Sequence, residues 1–184
     1  MAIMNRAEFA SIAGEFSSFS GISGSPGKTR TFSKSHSVTS VFLSHAHQDK
    51  DVVEQARFFF ENLGIAVYVD WADETMPERT NGETATRIKS QIITGTDKFV
   101  LLATNTAIAS RWCNWEVGIA DPFKLSKNKM ALLPLADTQG GWNGNEYLQI
   151  YPRIERNPRQ FGGEGYYIWY PNGDWMTLEN WLKV

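Results

Sequence analysis

The pattern most able to do chemistry in this sequence is a glutamate set among tryptophans near the middle of the chain. Residues 111–116 are Arg-Trp-Cys-Asn-Trp-Glu, and on a helix Trp112 and Glu116 share one face. A carboxylate on a face that should be buried is unfavourable unless something binds it. Such conflicts between local pattern and fold mark functional sites, so Glu116 is the candidate catalytic residue and Trp112 a candidate for substrate binding. In the competing interpretation Trp112 is core, together with Trp115 and Ile119, and Glu116 forms a surface ion pair.

Other polar residues follow the ends of predicted strands, where α/β sheets bind their ligands: Ser44, Asp70, Thr104 and Asp137. Backbone amides of residues 44–46 are placed to hold a phosphate at the next helix N-terminus. His45 would add a donor or stack on a ring, or is an ordinary loop histidine. Asp70 would orient a loop or a ligand. Arg87, on the helix after a polar loop, would meet phosphate or only solvent.

Several familiar kinds of site are disfavoured by spacing. His45, His47 and Asp49 lack a further ligand at a convincing spacing, so no metal is predicted. A catalytic Ser44–His45 pair, with serine as nucleophile, is also disfavoured. Neighbouring residues point in opposite directions along an extended chain, and no G-x-S-x-G elbow is present. No strand is followed by a glycine-rich phosphate motif, which disfavours a classical dinucleotide fold, and no resident cofactor is predicted.

Composition restricts the class of protein. The chain has 184 residues, 42% hydrophobic and 21% charged, with a net charge of −2, as expected for a globular domain with no basic field for nucleic acid or an anionic membrane. Cys113 is the one cysteine, which excludes an internal disulfide and predicts a small core residue. No apolar run is long enough to span a membrane and no export signal is seen, so a cytoplasmic protein is expected.

Apolar runs alternate with amphipathic segments between residues 38 and 136. The runs at 38–43, 66–69, 98–103 and 129–136 predict buried strands, and the segments at 49–63, 84–93 and 107–120 predict helices. This alternation indicates an α/β fold with a mainly parallel central sheet and helices on both faces.

The two ends of the chain have a different character. Residues 1–37 predict an extension with a short helix over 5–16 and a flexible linker rich in Ser and Gly; we expect it to be loosely ordered or, failing that, to pack on a partner copy. The main domain is predicted to span 38–184, with a long polar loop over 137–164. Residues 166–175 predict a hairpin, and Thr177 is placed to cap a last short helix.

Several motifs resemble the Toll/interleukin-1 receptor (TIR) domain in its bacterial form. The segment 41–46, followed by Asp49 and Lys50, resembles that family's first box, and 67–70 resembles its second strand. Residues 72–82 occupy the position of its mobile BB loop, which is longer here than usual. Residues 112–116 resemble the tryptophan, three residues, glutamate pattern of members that cleave NAD. The tail at 166–181 resembles that of TIR proteins from Thoeris-type anti-phage systems.

The resemblance implies a flavodoxin-like fold and an NAD nucleosidase. Glu116 would cleave the bond between nicotinamide and ribose, giving nicotinamide and either ADP-ribose or a cyclic isomer as an immune signal, with NAD as substrate. It also implies self-association through TIR contacts and a separate effector protein that detects the product. The alternative is a non-catalytic TIR adaptor that works by association. A nucleoside-processing transferase of similar architecture is a third class, which would ignore NAD.

Overall fold

The computed structural model describes residues 3–19, 38–73, 81–137, 141–142, 144–157 and 165–184, and gives only the backbone of 13–19 and 157. Its strands are β1 (Met4–Asn5), β2 (Ser40–Ser44), β3 (Ala66–Tyr68), β4 (Lys98–Ala103), β5 (Met130–Ala136), β6 (Arg153–Asn157), β7 (Gly165–Trp169) and β8 (Trp175–Thr177). Its α-helices are α1 (Arg6–Phe19), α2 (Lys50–Asn62), α3 (Gly82–Ser90), α4 (Asn105–Ala109), α5 (Arg111–Lys124) and α6 (Leu178–Lys183).

One sheet joins these strands in the order β3-β2-β4-β5-β6-β7-β8, and β1 also pairs with β5. The strands β1 to β6 pair in parallel, whereas β6, β7 and β8 pair antiparallel. Every residue of β4 and β5 is buried, because strands joined by helical crossovers are covered on both faces. The predicted mainly parallel, flavodoxin-like sheet is confirmed.

Helices cover both faces of the sheet, as predicted. On one face Phe59 of α2 and Trp181 of α6 belong to one apolar cluster. On the other, Ile88 of α3, Ile108 of α4 and Val117 of α5 belong to a second cluster. Side chains alternate between the faces along each strand, so the sheet separates the two cores.

The helix expected at 107–120 is divided in two. Ser110 has extended backbone angles, φ −74° and ψ 122°, and its side chain accepts a hydrogen bond from the Cys113 amide. Thr104 caps α4 in the same way through the Ala107 amide. Ser and Thr at these positions satisfy amides that the first helical turn leaves without partners. The break at Ser110 ends α4, starts α5 at Arg111 and places Trp112 in its first turn.

The long loop predicted over 137–164 is wrong in part. A 3-10 turn over Glu146–Ile150 buries Leu148, and β6 pairs with both β5 and β7. The residues of β6, Arg-Ile-Glu-Arg-Asn, have only Ile154 as an apolar member, so their own preference for a strand is weak. Their neighbours in the sheet decide the outcome, which local pattern does not capture. Residues 138–140, 143 and 158–164 of this prediction lie outside the described residues.

The beginning of the chain packs on the rest of the same chain. Met4 pairs with Leu135 of β5, and the buried ring of Phe9 lies 5.8 Å from that of Phe59 on α2. The predicted helix is therefore present, and it is docked over residues 3–12 rather than loose, because it covers apolar surface of α2. Residues 20–37 of the predicted linker lie outside the described residues.

The tail follows the prediction. The strands β7 and β8 form an antiparallel hairpin whose turn contains Gly173 at a φ of +91°, a conformation that favours glycine. Thr177 caps α6 by accepting a hydrogen bond from the Asn180 amide. Within the described residues, no helix is long and apolar enough to cross a membrane.

Candidate active site

The candidate site lies where β2 and β3 end and the first turns of α5 approach them. Ser44 is the last residue of β2, and Asp70 follows β3 after one residue. Glu116 lies on the buried side of α5. The parallel pairing of β2 with β3 puts both strand ends at one edge of the sheet, which is the edge that binds ligands in such folds.

Glu116 is the buried carboxylate that the sequence indicated. It is 2% exposed, and its Oε2 accepts a hydrogen bond of 2.5 Å from the Ser44 hydroxyl. Burial raises the pKa of Glu116 to about 8; the hydrogen bonds from Ser44 and from the Trp112 side chain oppose that rise, and the charge of Asp70 adds to it. The competing interpretation, a surface ion pair for Glu116, is therefore wrong.

Trp112 and Trp115 form an aromatic pair at the start of α5. Their ring centroids are 4.9 Å apart at an angle of 40°. Trp112 is half-buried against the core while Trp115 is 37% exposed. Because the Trp112 side chain both bonds to Glu116 and stays partly accessible, it is placed to form a wall of the site. Trp115 is not the core residue that the competing interpretation required.

His45 and Asp70 lie side by side next to this cluster. The Nδ1 atom of His45 is 2.9 Å from the Leu43 carbonyl oxygen, and its Nε2 is 3.4 Å from Asp70 Oδ1. The His45 side chain is 3% exposed. The same Asp70 oxygen accepts a hydrogen bond of 2.8 Å from the Trp71 amide. The structure thus brings together five of the six predicted site residues: Ser44, His45, Asp70, Trp112 and Glu116.

Arg87 is the sixth, and its described partners lie on α3 and β3. Its guanidinium is 3.3 Å from Glu83, one helical turn earlier, and is 39% exposed. Its positive charge also acts on Tyr68, whose pKa is raised mainly by burial and by the hydrogen bond to Asp73. Contact of Arg87 with phosphate stays a prediction. The expected BB loop spans 72–82, and its residues 74–80 are outside the described residues.

Sequence reasoning missed a cluster beside the site. Asp49, the residue before α2, makes no side-chain capping bond; its carboxylate binds the Arg6 guanidinium at 2.6 Å and the Thr104 hydroxyl at 2.5 Å. Arg6 begins α1 and Thr104 caps α4. The one signal in the sequence was a basic residue, Arg6, at the start of the predicted first helix. No local pattern could pair it with Asp49, because the two residues are 43 positions apart.

The residues considered for metal binding and for thiol chemistry lie in different surroundings. His47 is exposed, His45 points to Leu43 and Asp49 binds Arg6, so the three do not converge. Among the residues that the structure describes, no group of three His, Cys, Asp or Glu side chains is placed to hold a metal ion. Cys113 is buried, and burial raises the pKa of its thiol to about 11 against hydrogen bonds with Ser110 and Ser44. It is the core residue that was expected.

Comparisons with known proteins identify the family of this chain. A family model described as the TIR domain matches residues 41–151, which include β2, β3 and α5. A probable 3′ cyclic ADP-D-ribose synthase, ThsB′ of Bacillus cereus strain MSX-D12, is 29% identical over 151 residues. The match covers 78% of this chain and 75% of the relative.

Proposed function

Because this chain belongs to the TIR-domain family, we propose that it cleaves NAD between nicotinamide and ribose and closes the remaining ADP-ribose into a ring. The observation that carries the proposal is the buried Glu116, bonded to Ser44 and Trp112 at the ligand-binding edge of the sheet. The printed name of the relative, a probable cyclic ADP-ribose synthase, supports ring closure as the fate of the product.

One carboxylate is sufficient for this cleavage. Nicotinamide in NAD is cationic and leaves as a neutral molecule, so no general acid is needed, in contrast to ordinary glycosides. The ribose then resembles an oxocarbenium ion. Glu116 is fixed by two hydrogen bonds in a site from which water is largely excluded, and a fixed anion stabilises that cation best in such surroundings.

The raised pKa of Glu116 fits a cationic substrate. Without substrate the site favours the neutral acid below about pH 8. The positive nicotinamide ring stabilises the ionised form when it binds nearby, because an opposite charge lowers the pKa of a carboxylic acid. Glu116 would therefore become charged as NAD binds, and the charge would be present when the bond breaks.

The same proposal extends to the setting of the reaction. A cyclic product would act as an anti-phage signal in the cytoplasm, detected by a separate effector protein. Self-association through TIR contacts would assemble the active form. What supports this setting is the resemblance to Thoeris-type proteins and the relative's name.

The test is to incubate NAD with purified protein at high concentration and to identify the products by chromatography and mass spectrometry. We expect nicotinamide together with a cyclic isomer of ADP-ribose from the wild type, and a loss of at least a hundredfold with Glu116→Ala. Glu83→Ala, an exposed glutamate on α3, is the matched control. A folded wild type that releases no nicotinamide, alone or in cells challenged with phage, would overturn the enzyme in favour of the adaptor.

A further inference from the structure

We propose that His45 accepts the proton of the ribose hydroxyl that closes the ring, and that Asp70 stabilises the imidazolium that results. The inference rests on the proposed NAD cleavage and assigns its second step to residues of this chain. It gives His45 and Asp70 a chemical role beyond contact with the substrate.

The hydrogen bond at Nδ1 fixes the proton arrangement of the His45 ring. Nδ1 lies 2.9 Å from the Leu43 carbonyl oxygen, and a carbonyl oxygen only accepts, so Nδ1 must carry a hydrogen. In a neutral imidazole the other nitrogen then has the free lone pair. Nε2 is therefore a base.

Within the part of the chain that the structure describes, no hydrogen-bond donor faces Nε2. Among the described residues this buried atom has no hydrogen-bond partner, and its nearest charged neighbour is Asp70 Oδ1 at 3.4 Å. A carboxylate also only accepts hydrogen bonds. Two acceptors therefore face each other with no hydrogen between them, and this arrangement is unfavourable for a buried atom. Either a proton on Nε2 or a hydroxyl from a ligand relieves this conflict. The site is thus built to receive a donor at this point.

The pair adjoins the residues that surround Glu116. His45 follows Ser44, whose hydroxyl bonds to Glu116, and the charge of Asp70 acts on Glu116. Glu116 would hold the ribose whose bond to nicotinamide breaks, on one side of Ser44. His45 and Asp70 would receive the attacking hydroxyl on the other.

The step balances without a further reactant. The bond between the ribose C1 and nicotinamide breaks, and its electron pair leaves with nicotinamide. A hydroxyl oxygen of the adenosine ribose bonds to that carbon, its proton moves to Nε2, and the imidazolium later releases the proton to solvent. Nε2 of His45, which has no hydrogen-bond partner among the described residues, accepts this proton. Attack by water, which gives linear ADP-ribose, can pass its proton to another water molecule and so does not depend on His45.

The first test needs no turnover. The chain has three histidines, so ¹⁵N NMR of the imidazole rings at pH 8.5 is assignable from the signals lost in His45→Gln. We expect His45 to be neutral, with hydrogen on Nδ1 and none on Nε2. Hydrogen on Nε2, whether in the other neutral form or in a permanent imidazolium, would overturn the proposal.

The second test measures how products divide. We expect His45→Gln to lower the ratio of cyclic to linear product by at least tenfold, with a smaller effect on nicotinamide release. His47→Gln, an exposed histidine in the same loop, is the matched control and should keep the wild-type ratio. An unchanged ratio in His45→Gln, or a wild type that makes only linear product, would contradict the role of His45 and leave NAD cleavage standing. A wild type that releases no nicotinamide would contradict the proposed function itself.

Discussion

At the scale of single residues, burial and hydrogen bonding have opposite effects on the pKa of Glu116. Burying a carboxylate is unfavourable, and the hydrogen bonds from Ser44 and Trp112 offset part of that penalty. The helical spacing of Trp112 and Glu116 could be predicted from the sequence because it is local. The Ser44 bond could not, because it joins residues 72 positions apart; sequence analysis expected Ser44 to act in phosphate binding.

Removing the Ser44 hydroxyl should move the pH profile of the reaction. The bond from Ser44 lowers the pKa of Glu116, so in Ser44→Ala the carboxylic acid stays protonated to higher pH. A hydrogen bond to a charged group contributes about 1.5–3 kcal/mol, so we expect the rise of kcat/KM with pH to shift upward by about one pH unit. At pH 7 this corresponds to roughly a tenfold loss, measured as initial rates of nicotinamide release.

Ser40→Ala provides the control for that prediction. Ser40 is also buried in β2, at the opposite end, and its hydroxyl donates to Asp97 over 2.7 Å. Its loss should weaken the fold without shifting the profile. Equal shifts in the two variants would show that Ser44 acts through the stability of β2 and not through Glu116.

At the scale of elements, α1 packs on the rest of the chain, whereas the sequence predicted a loosely ordered N-terminal segment. Phe9 packs on α2, and Arg6 reaches Asp49, which in turn holds Thr104 at the start of α4. One contact cluster thus connects the first helix with the turn after β2 and with α4, the helix before the one that carries Glu116. The sequence predicted the helix from its apolar spacing, but its partner surface is formed by residues that are distant in the chain.

Breaking the Arg6 pair should destabilise the whole domain. Asp49 is 3% exposed and Arg6 28%, so Arg6→Met would leave a buried charge with Thr104 as its remaining described partner. We expect a loss of about 2 kcal/mol in the free energy of unfolding, measured by chemical denaturation.

Arg57→Met, which removes a pair with the half-exposed Glu54, should cost less than about 1 kcal/mol. Adding Asp49→Asn should restore most of the stability lost in Arg6→Met; no recovery would show that packing of the Arg6 stem matters more than charge.

At the scale of the whole molecule, the fold could be predicted largely where the chain is locally periodic. The strand at Lys98–Ala103 has the bounds that its apolar run predicted. It could be predicted because β4 is buried on both faces and its residues are therefore mostly apolar. The strand at Arg153–Asn157 could not be found, because its pairing with β5 and β7 compensates for a polar sequence. The same reasoning applies to the site, where strand ends and helix spacing were predictable and contacts between residues distant in the chain, such as Ser44 and Glu116, were not.

The central claim is that Glu116 breaks the bond between nicotinamide and ribose, as distinct from holding NAD in place. The most direct measurement compares NAD affinity by calorimetry with single-turnover nicotinamide release in the wild type and in Glu116→Gln, which keeps the size of the side chain and its acceptor oxygen for Ser44. The account predicts affinity within about tenfold of the wild type, and release slower by about a thousandfold. Release by Glu116→Gln at near the wild-type rate would contradict it.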